Sequence, residues 1–278
     1  MMEQHDRQRA TSIQSLLEGA DRGDFEIPPA LQEARATEAL TSRALAEARD
    51  DLAKLGTMAD AVTPLAKEVF EAARAERPLP DRSDRLLKLE QATEQARYRV
   101  DVLKHAHEMA AKDLLYGSWP ESIIVEHLRP ALAQVMEEVR DLEPKLEGRS
   151  VEAPQNFLRA SVEARTAFNA LNDLAYRYDG IRAAQQAAGR LLDGPQVDTG
   201  HKFREFRDPA ALGITISGMA GRSQPVPEPR LTRLVWTATV GKDEVWMPTV
   251  AEQDQAAAAY FERAEKRRFA GHTFAARV

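Results

Sequence analysis

One long row of apolar and small side chains, repeated at alternating three- and four-residue steps, constrains the fold of this chain most. The row consists of Leu45, Ala48, Leu52, Leu55, Ala59, Val62, Ala66, Val69 and Ala73. This is the a and d spacing of a heptad repeat, which places its members on one side of a helix and needs a facing helix to cover them. Gly56 and Pro64 interrupt the stretch, and Pro64 falls off the seam. The pattern therefore predicts a kinked helix or two helical segments.

Three further stretches carry similar spacing and predict a mainly helical fold. They run from Leu86 to Leu114, from Leu128 to Leu146, where Gly148 suits the left-handed position after a helix, and from Phe157 to Leu192. The loop at 116–118 is so short that the helices on either side of it are expected to be antiparallel. The fold class predicted is mainly α, with elongated antiparallel helical hairpins or a four-helix bundle built on coiled-coil heptads.

The composition changes after Pro195, where Gly, Pro and Thr become frequent. Residues 224–229 predict an extended, polyproline-like arm. Leu231 to Val240 is rich in β-branched and aromatic residues, residues 241–243 form a turn signal, and Glu244 to Met247 provides a returning strand. The sequence thus adds a small C-terminal β-hairpin, followed by a helix.

Two matches to the capping-box pattern mark expected helix starts, one at Ser118 with Glu121 and one at Thr249 with Glu252. With the composition change, they predict four segments. These are a short N-terminal helix around Ile13 with its linker (1–29), a helical coiled-coil or bundle body (30–195), an extended Pro- and Gly-rich arm (196–230), and a β-hairpin plus C-terminal helix (231–278).

Composition and charge limit the classes of function. The chain has no cysteine, which excludes disulfides and thiolate chemistry and favours a reducing compartment, and no uncharged apolar run is long enough to span a membrane. The N-terminus lacks the apolar core of a secretion signal, so a cytoplasmic location is expected, or a virion assembled in the cytoplasm. Residues 1–195 carry a net charge of −8 and residues 196–278 a net charge of +2. Contact with nucleic acid is therefore expected only from the C-terminal part.

No catalytic or metal-binding pattern emerges from the sequence. His105 and His107 are two residues apart, which separates them on a helix, and His107 is interpreted as a structural histidine in the seam. Adjacent carboxylates diverge by about 100° on a helix and are interpreted as solvated faces. The glycine-rich stretch 213–221 lacks the lysine and following helix of a phosphate-binding loop. We therefore expect no enzyme activity, no cofactor and no metal.

The candidate partner-binding residues all lie in the C-terminal part. They are Trp236, Trp246, Pro225, Pro227, Arg263, Lys266, Arg267 and Arg268. Tryptophan dominates interface energetics, and proline pre-orders an extended arm, so both favour docking onto a protein. The alternatives are that the tryptophans pack in the core, and that the basic residues form a solvated last helical turn.

The function expected is that of a non-enzymatic helical scaffold or assembly protein that self-associates or docks into a larger complex. A virion structural or morphogenesis component of a bacterial phage would suit this build. The alternative is a nucleic-acid-associated adaptor that uses the basic C-terminal helix. No membrane contact is expected, and the partners are expected to be proteins, including further copies of the chain.

Overall fold

A computed structural model gives the fold as mainly helical, as the sequence predicts. It describes residues 2–55, 58–78, 83–193, 201–212, 214, 226–227 and 229–275. The chain divides into two compact units. We call Pro29–Gly117 the hairpin unit, and Met1–Pro28 together with Ser118–Val278 the α7 unit, after its central helix.

The hairpin unit contains α2 (Pro29–Lys54), α3 (Met58–Arg74) and α4 (Ser83–Tyr116). The first predicted helix is indeed divided into two segments, since α2 ends just before Gly56 and α3 carries Pro64 inside it. Proline can start a helix because its missing N–H has no partner there anyway, which fits Pro29 at the first position of α2.

The helices α2 and α4 pack side by side and run antiparallel, as cross-helix contacts show. Arg99 Nη1 lies 3.5 Å from Asp51 Oδ2, and His107 Nδ1 lies 3.5 Å from Thr41 Oγ1. The contacts thus move toward the start of α2 as they move toward the end of α4. The seam residues Leu45 and Ala48 are buried in this contact.

His107 occupies the seam, as the spacing predicts. Its Nδ1 also lies 3.7 Å from Glu38 Oε1, and about a quarter of the side chain is exposed (28%). The histidine is thus partly exposed and close to two polar side chains of α2, and its structural role stays a prediction.

The α7 unit is built around α7 (Val162–Asp193), which contacts α1 (Met2–Asp21), α6 (Arg129–Leu142) and α9 (Arg230–Thr239). The buried side chains of α7 recur along almost its whole length. They are Ala164, Ala167, Phe168, Leu171, Leu174, Ala175, Tyr178, Ile181, Ala184, Gln185, Ala187, Ala188 and Leu191. Many are alanine, which lets neighbouring backbones approach closely on more than one side of the helix.

The predicted third helix is a continuous helical run with a wide turn inside it. It begins with α5 (Trp119–Ser122), continues as a π-helix over Ile123–Leu128, and becomes α6. Pro130 cannot donate a backbone hydrogen bond, and its ring crowds the carbonyl four residues earlier, which favours a widened turn at this point. A 3₁₀ turn at Glu143–Leu146 ends the run, and Gly148 adopts the left-handed conformation (φ +67°) predicted from the sequence.

Residues before α7 form a second 3₁₀ turn, Pro154–Phe157, so the fourth predicted helix begins later than its spacing suggests. Phe157 is buried and stacks on Phe168 with ring centroids 4.3 Å apart. It belongs to the core of α7 without belonging to the helix.

The C-terminal part contains α8 (His201–Glu205), α9 and α10 (Val250–Ala275). The predicted β-hairpin is wrong, because its first arm, Leu231 to Val240, is almost entirely the helix α9. Leu234 and Ala238 are one helical turn apart and buried, and α9 packs on α6 and α7. Burial of this helical face overrides the strand preference of the β-branched residues.

The second arm of the predicted hairpin is extended but pairs with another segment. Val245 forms an isolated antiparallel bridge with Phe206, and Trp246 N donates to Glu205 O at 3.1 Å. Beyond this bridge, the described ranges contain no β-strand.

The two capping boxes have different outcomes. At the start of α10, Glu252 N donates to Thr249 Oγ1 at 3.3 Å and Thr249 N donates to Glu252 Oε2 at 2.8 Å, which confirms the prediction. Ser118 precedes α5 but makes no side-chain capping bond, so that capping box is wrong although the helix starts where expected. Within the described part of the chain, no helix is long and apolar enough to cross a membrane.

Candidate partner-binding surfaces

The tryptophans proposed for partner binding make contacts inside the α7 unit. The indole Nε1 of Trp246 donates to Phe203 O at 2.9 Å, and the Arg207 guanidinium lies 5.4 Å from the ring centroid. Trp236 meets Phe206 edge-on, with centroids 5.9 Å apart. Both tryptophans are half-buried. These are packing contacts, and a role for either residue in docking stays a prediction.

Arg182 on α7 ties the chain around Trp246 to the central helix. Its Nη1 lies within hydrogen-bonding distance of Trp246 O (2.9 Å), Arg204 O (3.0 Å) and Gln185 Oε1 (2.9 Å). Its Nε donates to Tyr178 Oη at 3.2 Å. One guanidinium thus joins two separate C-terminal segments to α7, a role that no local sequence pattern signals.

The start of α10 is held by a second arginine. Arg129 of α6 donates from Nε to Met247 O at 2.7 Å and pairs with the carboxylate of Glu252. Burial raises the pKa of Glu252, but the backbone N–H of Thr249 and the charge of Arg129 lower it more, so its pKa lies below the usual value. The ionised carboxylate therefore stabilises this helix start.

The structure describes the side chains of only some of the basic residues proposed for partner binding. Arg263 Nη1 lies 2.9 Å from Asp208 Oδ2, and Lys266 Nζ lies 2.6 Å from Glu262 Oε1, so both cations already have acidic partners. Arg267 and Arg268 lie on α10, and their side chains are outside the described part. These pairs reduce the positive potential that a nucleic-acid contact would need.

The structure describes only part of the predicted arm. Pro225 lies outside them, while Pro227 is described and half-buried. The docking role of this segment stays a prediction.

An open groove of about 750 Å³ runs beside α7. It is lined by Arg22, Gly23, Asp24, Asp173, Tyr176, Arg177, Asp179, Gly180 and Ala183. A second groove of about 410 Å³ shares Asp173 and Arg177 and continues toward Glu138 and Asp141 of α6. No local sequence pattern signals these grooves, because their lining comes from segments far apart in the chain.

The floor of the larger groove depends on Gly180. A Cβ on this residue would lie 2.0 Å from Asp24 Oδ2, so only glycine lets the chain after α1 lie against α7. Asp24 accepts two hydrogen bonds from Arg22, at 2.8 and 3.1 Å, and Arg177 Nε donates to Asp24 O at 3.1 Å. The arginines of the groove are thus engaged in holding this corner.

At the other edge of the groove, Arg230 of α9 stacks on Tyr176, with its guanidinium carbon 3.4 Å from the ring centroid. Its Nε lies 3.0 Å from Asp179 Oδ2. Burial raises the pKa of Asp179, and Arg230 and Arg233 oppose that shift. Among the described residues, no group of three or more His, Cys, Asp or Glu side chains is arranged to hold a metal ion. The groove presents carboxylates that are already close to arginines.

Helix α9 is attached with incomplete hydrogen bonding. Within the described ranges, the buried hydroxyls of Thr232 and Thr237 lack a hydrogen-bond partner, whereas Arg230 and Arg233 are paired with Asp179 and Glu205. A buried polar atom without a partner costs roughly 1–3 kcal/mol. The position of α9 is therefore maintained by its apolar face and by ion pairs such as Arg233 with Glu205.

An exposed apolar surface of the hairpin unit lies on α4. It comprises Leu87 (52% exposed), Tyr98 (73%), Val102 (47%), Met109 (72%) and Tyr116 (51%), which we call the outer row. At 3.6 residues per turn, these five positions fall within about 60° around the helix axis, roughly opposite the seam that faces α2.

The outer row lies outside the predicted seam of α4, which runs from Leu86 to Leu114 on the other side of the helix. A second seam was readable, since Tyr98, Val102, Met109 and Tyr116 are separated by four, seven and seven residues. A helix with apolar rows on opposite sides is typical of one that is covered on both.

No family model, curated protein or solved structure matches this chain.

Proposed function

We propose that this protein is a non-enzymatic helical scaffold or assembly protein that works by binding other protein surfaces. The carrying observation is the outer row, because solvent-exposed helices normally place charged or polar residues opposite their packed face. Exposed apolar side chains that share one helix face favour protein interaction in soluble proteins, and here they alternate with the polar residues Gln91, His105 and Lys112.

The packing of α2 on α4 supports a specific form of this proposal. The seam from Leu45 onward is partly consumed inside the hairpin, so it supplies rigidity, as an antiparallel coiled-coil pair would. Association with other protein surfaces would then use the outer row. A place within a larger assembly, such as a virion, follows the same logic, with the hairpin as a stiff connecting element.

The test is the native mass of the purified full chain over a wide concentration range, by light scattering, together with any component that co-purifies in fixed stoichiometry. The proposal expects a mass above the 31.0 kDa of one chain, or a stoichiometric partner. Replacing Val102 and Met109 by Asp should lower that association while leaving the helical circular dichroism unchanged. A chain that is monomeric at every concentration and carries no stoichiometric partner would contradict the proposal.

A further inference from the structure

The hairpin unit is inserted into the sequence of the α7 unit. The chain passes from one unit to the other after Pro28 and returns after Gly117. Because α2 and α4 run antiparallel, both connections belong to the same end of this helix pair. An unfolded hairpin unit would be a loop of about 90 residues within the α7 unit. The entropy cost of closing a flexible loop grows only with the logarithm of its length, so such a loop does not by itself unfold the remaining unit.

The apolar core of the hairpin unit is small. Its buried side chains, among the residues that the structure describes, are Leu31, Ala34, Leu45, Ala48, Leu65 and Ala110. Half of these are alanines, and α7 alone has about twice as many buried side chains. More large apolar side chains of the hairpin unit are exposed than buried, since Leu40, Val62 and Phe70 are exposed as well as the outer row. The favourable free energy of folding scales with the apolar area removed from water, so this unit gains little for its length.

The polar contacts between α2 and α4 add little to this core. Arg99 and Asp51 are 3.5 Å apart, and both side chains are more than half exposed. Glu38 and His107 are 3.7 Å apart and also reach solvent. Ion pairs that remain in contact with water contribute little to stability.

The α7 unit is held together by stronger contacts as well as by a larger core. Arg182 bonds the backbone carbonyls of Trp246 and Arg204, and Arg129 bonds that of Met247. These bonds come from charged groups at partly buried sites, where hydrogen bonds stabilise most. The two units therefore differ in the free energy that keeps each of them folded.

We infer that the hairpin unit is a separate order–disorder element of the fold. It unfolds and refolds as one cooperative unit at a lower free energy than the α7 unit, which keeps its structure while the hairpin unit is open. Proteins open in such cooperative units, and those with few buried apolar contacts open first. A molecule that binds only the folded hairpin unit would shift this equilibrium toward the folded form. The folded helix pair can be stiff and still open at low free energy, because stiffness and the free energy of unfolding are separate quantities.

The experiment is urea unfolding of the full-length chain, followed in the same samples by circular dichroism and by tryptophan fluorescence. Trp119, Trp236 and Trp246 all belong to the α7 unit, so fluorescence reports on that unit. The helices α2, α3 and α4 hold about two-fifths of the α-helical residues that the structure describes. We expect a first transition that removes about this share of the helical signal without changing the fluorescence. A second transition, at higher urea, should be reported by both probes.

Three leucine variants assign the transitions to the units. Leu45→Ala removes a buried side chain of the hairpin unit and should move only the first transition, by at least about 1 M urea. Leu171→Ala removes a fully buried side chain of α7 and should move the fluorescence transition to lower urea. Leu40→Ala is the matched control on α2, because Leu40 is 70% exposed, and it should move neither transition. If Leu45→Ala already lacks the first transition's helical signal without urea, while its fluorescence transition is unchanged, the inference is also supported.

Coincident transitions by both probes, which Leu45→Ala moves together, would show a single cooperative fold and overturn the inference. A fluorescence transition that precedes the loss of hairpin helicity would overturn the proposed order of stability. The inference does not depend on the outer row binding a partner. Repeating the titration at two protein concentrations keeps the two questions apart, because association raises the transition midpoints with concentration. The separation between the two probes tests the present inference alone.

Discussion

Removal of the Arg182 guanidinium tests whether the C-terminal segments are part of the core of the α7 unit. In Arg182→Met the aliphatic stem is kept, but the hydrogen bonds to Trp246 O, Arg204 O and Gln185 Oε1 are lost. Arg204 O keeps the bond from Gln185 Nε2, at 3.2 Å.

The expected loss of stability follows from the acceptor oxygens that lose the Arg182 donor. A buried acceptor that loses its donor costs roughly 1–3 kcal/mol, and hydrogen bonds from a charged group are at the stronger end. Gln185 still donates to Arg204 O, and solvent can reach part of this half-buried site. We therefore expect a loss of about 3 kcal/mol in the free energy of unfolding.

The assay is denaturant unfolding followed by tryptophan fluorescence. Trp119, Trp236 and Trp246 all lie in the α7 unit, so fluorescence reports on that unit, while circular dichroism reports on both. Arg190→Met is the matched control, because Arg190 is an exposed arginine on the same helix. If the two variants unfold at the same denaturant concentration, the C-terminal segments do not depend on Arg182 and the reasoning is refuted.

Three further predictions concern local contacts. Thr249→Ala should lower the free energy of unfolding by about 1 kcal/mol through loss of the α10 cap, measured by the same fluorescence titration, whereas no change would reject the capping role. Because the pKa of Glu252 is lowered in the fold, its stabilising contribution is present above the normal glutamate pKa and is lost as pH falls through the folded value. The free energy of unfolding of the wild type should therefore fall more than that of Glu252→Gln between about pH 5 and pH 3. An equal decrease in both proteins would contradict this. Gly180→Ala should destabilise the α7 unit by about 1–3 kcal/mol despite alanine's better helix propensity, because its Cβ displaces Asp24; a stabilised variant would show that this corner moves freely.

Much of the helical structure was determined by local sequence. The break between α2 and α3, the left-handed Gly148 and the Thr249–Glu252 cap all depend on residues within a few positions of one another. Such signals act before any tertiary contact forms, so a single sequence is enough to read them. The predicted heptad seam is buried at Leu45 and Ala48 but does not continue on α3, where Leu65 is buried and Val62 is 44% exposed.

The tertiary structure determined which part of the chain packs against each helical face. Residues Leu231 to Thr239 have strand-like composition, yet they are helical because Leu234 and Ala238 find a buried site against α6 and α7. The role of Arg182 depends on carbonyls more than 20 and 60 positions away in the chain. The outer row of α4 is a surface only because α2 occupies the opposite face. Spacing along a helix shows which side chains share a side. The free energy of burial is gained only when segments distant in sequence pack together, so the packing partner of each face depends on the whole chain.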